Sequence, residues 1–174
     1  LNGGTECFFD YKYLTKALEQ CDSLAQESPN FPIFSCWDGI FMENIWAIHE
    51  GQPSPDRWLK DDDLFYPCNS TEIAEKYLQA CWSNQPSWMW QRLNGDIKGV
   101  ANVCLQLSDS VLQNTCFDSL ARQIHPETSG SIDKVLRLCG MLPSDFWKDK
   151  CMISIMRASL SVGDREQPFI LCQK

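Results

Sequence analysis

The sequence predicts an all-α fold: about four disulfide-stapled helical hairpins, stacked as a short α-solenoid or a closed helical bundle. Three observations lead there. The chain of 174 residues holds ten cysteines, and eight of them form four regularly spaced pairs. Cys104 to Cys139 and Cys116 to Cys151 are both 35 residues apart, which is the mark of a repeat. Apolar residues recur at helical spacing around the first cysteine of a pair. The length fits one helical-repeat domain over 1–174. Its units lie at about 10–50, 66–93, 95–126 and 130–162, with an insertion loop at 51–67 and a C-terminal tail at 163–174.

The pairs are Cys21/Cys36, Cys68/Cys81, Cys104/Cys116 and Cys139/Cys151. Seven residues before the first cysteine stand Leu14, Ile97 and Ile132. Four before it stand Ala17, Val100 and Val135, and three before it Leu18, Ala101 and Leu136. Three after it come Leu24, Leu107 and Leu142. These positions share one helical face, so the first cysteine sits on the buried stripe of an amphipathic helix, near its C-terminal end. The Cys68 unit lacks this helix, and Tyr66-Pro67-Cys68 reads as an extended lead-in.

The second cysteine belongs to a returning helix. It is followed by a large apolar residue, Trp37, Trp82, Phe117 or Met152, and four residues on by Ile40, Leu120 or Ile155, with Gln85 the exception. Arg122 and Arg157 both stand six residues after it. Helix starts are signalled at Ser28-Pro29, Ser70-Thr71-Glu72, Ser108-Asp109 and Pro143-Ser144-Asp145. Gly95-Asp96 and Gly130-Ser131 punctuate the units. Pro86 predicts a break in the helix after Cys81, and Pro126 predicts a helix end at His125.

No C-x-x-C pair for a metal or a redox site is present, so the cysteines read as a disulfide framework made in an oxidising compartment, extracellular or periplasmic. Leu1-Asn2-Gly3-Gly4 has no signal-peptide character, and any such peptide is expected outside this chain. The recurrence of each pair and the helical face of each cysteine predict bridges within units: Cys21–Cys36, Cys68–Cys81, Cys104–Cys116 and Cys139–Cys151. Closing a loop of that size contributes about 3 kcal/mol. Cys7 and Cys172 lie outside the units. Either the tail folds back and brings Cys172 to Cys7, or both are free, or they bridge to a neighbouring chain.

The two-helix unit of 35 or 36 residues with an internal disulfide resembles the Sel1-like and tetratricopeptide class of α-solenoids, in particular the secreted cysteine-rich Sel1-like proteins. The likeness covers roughly residues 10–160 and lies in architecture. It implies a binding scaffold. The Sel1 unit has a closer cysteine pair and a Leu-Gly signature, whereas here Gly39 is the only glycine inside a second helix. The segment Cys36-Trp37-Asp38-Gly39-Ile40-Phe41-Met42-Glu43-Asn44 is also similar to segments of uncharacterised exported bacterial proteins with paired cysteines, which implies no activity.

A net charge of −8 and a pI near 4.7 argue against nucleic acid or anionic lipid as partner. No apolar run is long enough to span a bilayer. Hydrolase, metalloprotease and P-loop motifs are absent, so no enzyme is expected, and no cofactor or metal. His49 and His125 read as helix-end histidines. Asp61-Asp62-Asp63, with Asp56 nearby, reads as a solvated acidic loop rather than a cation site. Candidate binding residues are the loop aromatics Trp58, Phe65 and Tyr66 and the tryptophans Trp88 and Trp90. In each case the choice is between tucking onto the array and meeting a partner. Asn69-Ser70-Thr71 is a glycosylation sequon or a plain cap. The residues favour an exported scaffold for another protein or a peptide. A structural subunit of a larger extracellular or membrane-associated assembly is the alternative. A cell-wall-directed hydrolase comes third, with Asp38 and Glu43 as the pair to inspect.

Overall fold

The computed structural model describes residues 13–28, 30–46, 58–163 and 166–173. Cys7, His49 and the first part of the insertion loop, including Pro53, Pro55 and Asp56, lie outside them. The described residues form eight helices: α1 (Leu14–Glu27), α2 (Ile33–Trp46), α3 (Leu78–Arg92), α4 (Ile97–Leu105), α5 (Ser110–Thr128), α6 (Ile132–Cys139), α7 (Asp145–Ser161) and α8 (Glu166–Leu171). A 3-10 turn, Glu75–Tyr77, leads into α3. No strand occurs among them, only an isolated bridge between Lys60 and Asp63.

Four helices start on side-chain caps. Asp96 accepts from the Lys98 N–H, Asp109 from Val111 and Leu112, Ser131 from Lys134, and Ser144 from Trp147. Each cap satisfies backbone donors that the first turn leaves free, at about 1 kcal/mol apiece. Between units the chain reverses through two successive left-handed residues, Asn94-Gly95 (φ 50° and 74°) and Ser129-Gly130 (φ 49° and 76°). Glycine occupies the second position because a Cβ is strained there.

Disulfides bracket adjacent helices. Cys21–Cys36 joins α1 to α2, Cys104–Cys116 joins α4 to α5, and Cys139–Cys151 joins α6 to α7; Cys68–Cys81 ties the loop before α3 to α3 itself. Their Cα–Cα distances run from 5.6 to 5.9 Å, within the range a bridge requires. The returning helices pack in the order α2, α3, α5, α7, and α4, α6 and α8 lie against them. Between the layers Leu14, Leu18, Val100, Leu120, Val135 and Ile155 are fully buried, each worth about 1.5–3 kcal/mol against exposure. The apolar stripe is narrower than its spacing predicts: Leu24 and Leu136 are exposed. Leu24 lies in the last turn of α1.

The joints between units share one pattern. Two residues after the second cysteine stand Asp38, Ser83 and Asp118. Each accepts a hydrogen bond from the next returning helix: Asn84 Nδ2 to Asp38 Oδ1 at 2.9 Å, Arg122 Nη2 to the Ser83 carbonyl at 2.7 Å, and Ser154 Oγ to Asp118 Oδ1 at 2.7 Å.

Four local expectations are corrected. Pro86 does not break a helix: α3 runs through it, and Pro86 is buried amid Trp82, Gln85 and Met89 on the helix with the most buried residues. Packing on both sides offsets the one hydrogen bond that proline removes. Pro126 does not end α5, which continues to Thr128; the fully buried Thr128 donates its hydroxyl to the His125 carbonyl. Ser70 caps a turn through the Glu72 N–H, and α3 starts eight residues later with no side-chain cap. Tyr66-Pro67-Cys68 is a run of turns with a cis Tyr66–Pro67 peptide, not an extended strand. Within the C-terminal tail, 166–171 form α8, which packs on α7, and Cys172 beyond it is an exposed free thiol.

Candidate functional site

The loop aromatics are drawn onto the helices. Asn44 is buried and clasps the Trp58 backbone from both sides, donating to its carbonyl at 3.0 Å and accepting from its N–H at 3.1 Å. The Trp58 ring stacks on Tyr66, with centroids 6.1 Å apart, and Phe65 meets Trp82 edge to face at 5.9 Å. Asp63 holds the turn: its Oδ1 accepts from the Phe65 and Tyr66 N–H groups, and Asn69 donates to its carboxylate. Burial opposes the charge on Asp63, but these hydrogen bonds and Lys60 outweigh it and lower its pKa. Trp58, Phe65 and Tyr66 therefore pack the loop down, each half-buried. Asn69 is exposed.

Trp88 is buried, its indole N–H without a protein partner. Trp90 is different. It is half-buried and forms one wall of an open groove of about 620 Å³ between the α3–α4 turn, the end of α5 and α6. Backbone conformation places it there. The Gly95 N–H donates to the Trp90 carbonyl at 2.8 Å, and the indole lies so close to Gly95 that a Cβ would touch it at 3.4 Å. The indole is thus held against the turn.

The opposite wall is charged. Lys134 and Arg137, three residues apart on one face of α6, line the groove with Glu127 from α5, and Gln91 and Asn94 add amides. Among the described residues the ion pairs are Lys76–Asp22, Arg92–Asp61 and Lys148–Asp145. Lys134, Arg137 and Glu127 are in none of them. With two cations against one carboxylate, the groove is a local exception to a chain of net charge −8.

A smaller hollow of about 310 Å³ between α5 and α7 is lined by Asp118, Arg122, Ser154 and Arg157. Three of those four side chains already serve the joints. Asp38 and Glu43 do not converge: they are five residues apart on α2, about 140° around the helix. Asp38 is engaged by Asn84, and Glu43 is exposed.

The groove brings together one of the five sequence candidates, Trp90, with polar residues that the sequence did not single out. The signals available were Lys134 and Arg137 at a helical interval and the glycine turn beside Trp90. No helix among the described residues is long and apolar enough to cross a membrane. Comparison with protein families, curated proteins and solved structures finds no match, and the chain stands as a compact, all-α, disulfide-rich helical protein.

Proposed function

We propose that this protein is an extracytoplasmic binding scaffold that takes a short acidic peptide segment into the groove beside Trp90. The single observation that carries the reading is the pairing of the Trp90 indole with Lys134 and Arg137, two cations that enter none of the ion pairs among the described residues. An aromatic face offers area at low entropic cost, and a guanidinium can hold a carboxylate in two parallel hydrogen bonds. Glu127 on the α5 side sets the polarity, favouring a peptide N–H or a basic side chain next to the acidic one. Four disulfides suit an oxidising compartment, where a rigid stapled frame keeps such a groove preformed.

The test is an array of random hexapeptides probed with the purified protein, followed by titration calorimetry on the enriched sequences. The expected result is enrichment of Asp and Glu, loss of at least tenfold in affinity in Arg137→Glu and Trp90→Ala, and weakening with added salt. Equal affinity for the Asn/Gln counterparts of the same peptides would overturn the reading.

A further inference from the structure

The joint between α5 and α7 repeats the joint between α3 and α5 with one contact missing. Arg122 on α5 and Arg157 on α7 both stand six residues after the second cysteine of their units. Arg122 crosses its joint: its Nη2 donates to the Ser83 carbonyl at 2.7 Å and to Ser83 Oγ at 3.0 Å. The counterpart of Ser83 in the next joint is Asp118, two residues after Cys116 as Ser83 is after Cys81. The repeat would bring Arg157 to Asp118, yet the two form none of the ion pairs among the described residues. Ser154 holds that acceptor instead, donating its Oγ to Asp118 Oδ1 at 2.7 Å. Arg157 is exposed, and its guanidinium enters no ion pair among the described residues.

The hollow of about 310 Å³ lies at this open joint, with Asp118, Arg122, Ser154, Arg157 and Ser161 around it. Its polar groups divide into donors and acceptors. The donors are the Arg157 guanidinium and the Nε and Nη1 of Arg122, which Ser83 does not use. The acceptors are Asp118 Oδ2 and the two serine oxygens. Ser154 spends its hydroxyl hydrogen on Asp118, and Ser161 spends its own on the Ala158 carbonyl at 2.7 Å. A fitting ligand must therefore accept on one side and donate on the other.

We propose that the hollow binds a phosphate group that still carries a proton. A guanidinium holds two phosphate oxygens in parallel hydrogen bonds, so the arginines take the unprotonated edge. The P–OH then donates to Asp118 Oδ2. Two features select this ligand over near competitors. Sulfate and carboxylates carry no proton at neutral pH and would set an anion against Asp118. A zwitterion such as glycine can donate, but two guanidiniums against one carboxylate favour a ligand of net negative charge. The source follows from acid strength. A phosphate monoester loses its last proton near about pH 6, whereas inorganic phosphate keeps one P–OH into alkaline solution. Free phosphate is thus the ligand above neutrality, and a monoester joins it only in acid. The hollow shares no lining residue with the groove beside Trp90, so this site stands or falls independently of the peptide reading.

The test is titration calorimetry of the full chain in chloride buffer at fixed ionic strength, with inorganic phosphate, sulfate, methyl phosphate and glycine as probes. At about pH 8 phosphate is expected to bind with a Kd of about 1 mM or tighter, and the other three at least tenfold more weakly. At about pH 5 methyl phosphate regains its proton and is expected to approach phosphate in affinity. Arg157→Gln is expected to lose at least tenfold in phosphate affinity while keeping its fold by circular dichroism, since the side chain is exposed and unpaired. Asp118→Asn still offers Ser154 an acceptor, and its amide can donate to an anion, so it is expected to abolish the preference for phosphate over sulfate. Wild type taking sulfate or glycine as tightly as phosphate would overturn the proposal. So would methyl phosphate matching phosphate at about pH 8, phosphate affinity unchanged in Arg157→Gln, or no saturable uptake of phosphate by wild type.

Discussion

Four residues after the second cysteine, three units carry an aliphatic side chain and one carries Gln85. The structure gives the reason. Where a first helix is missing, loop backbone lies against α3, and its carbonyls need a donor. Gln85 is buried and donates its amide to the carbonyls of Leu64 and Tyr66, both at 2.8 Å. Its Oε1 faces Cys68 Sγ at 3.7 Å, a bridged sulfur with no proton to give. Gln85→Leu strands two carbonyls and is expected to cost about 2–3 kcal/mol, read from urea unfolding. Two glycines separate space from strain in the same way. A Cβ on Gly140 would lie 2.7 Å from the Leu136 carbonyl oxygen, which already accepts from the Gly140 N–H. Gly140→Ala is expected to cost about 1–3 kcal/mol. Gly39, inside α2, has nothing within 4 Å of an added Cβ. Gly39→Ala is expected to stabilise by about 0.5–1 kcal/mol, and the paired midpoints check both.

Among elements, one carboxylate ties three together. Asp22 on α1 accepts from Trp37 Nε1 on α2 at 3.1 Å, from the Tyr77 hydroxyl at 2.6 Å, and from Lys76 in the turn before α3. Burial works against its charge, but the hydrogen bonds from Lys76, Tyr77 and Trp37 prevail and hold its pKa below the usual range. A carboxylate lowered in the folded state stabilises fully above its unfolded value, near about pH 4, and loses that contribution as pH falls through the folded value. Asp22→Asn is expected to cost about 1–2 kcal/mol at pH 7, the gap to wild type narrowing in urea titrations as pH falls below the ordinary carboxylate range. The helices themselves were legible in the sequence, because cysteine spacing and apolar period report the same face twice. Pro86 and Pro126 misled because a proline rule is local, while the packing around α3 and the end of α5 is not. The groove was legible only at Trp90. Its other wall comes from Lys134 and Arg137, more than forty residues away, and no periodicity connects residues that meet only across a joint.

For the whole molecule, the joints outlast their particular side chains. Ser83 differs chemically from Asp38 and Asp118, and the donors Asn84, Arg122 and Ser154 all differ, yet position and role are kept. The turns on either side of the third unit have the same backbone conformation, Asn94-Gly95 and Ser129-Gly130. A cassette from Gly95 to Ser129, 35 residues, could therefore be excised with Asn94 spliced to Gly130, the φ values at the seam (50° and 76°) matching those of the present turns. Arg157 would arrive opposite Ser83 where Arg122 now stands, being six residues after its cysteine as Arg122 is. The shortened chain is expected to stay helical by circular dichroism and to keep Cys139–Cys151 intact by mass. A fold whose seams are interchangeable lengthens or shortens by whole cassettes, so its reach can be tuned by recombination without redesigning any core.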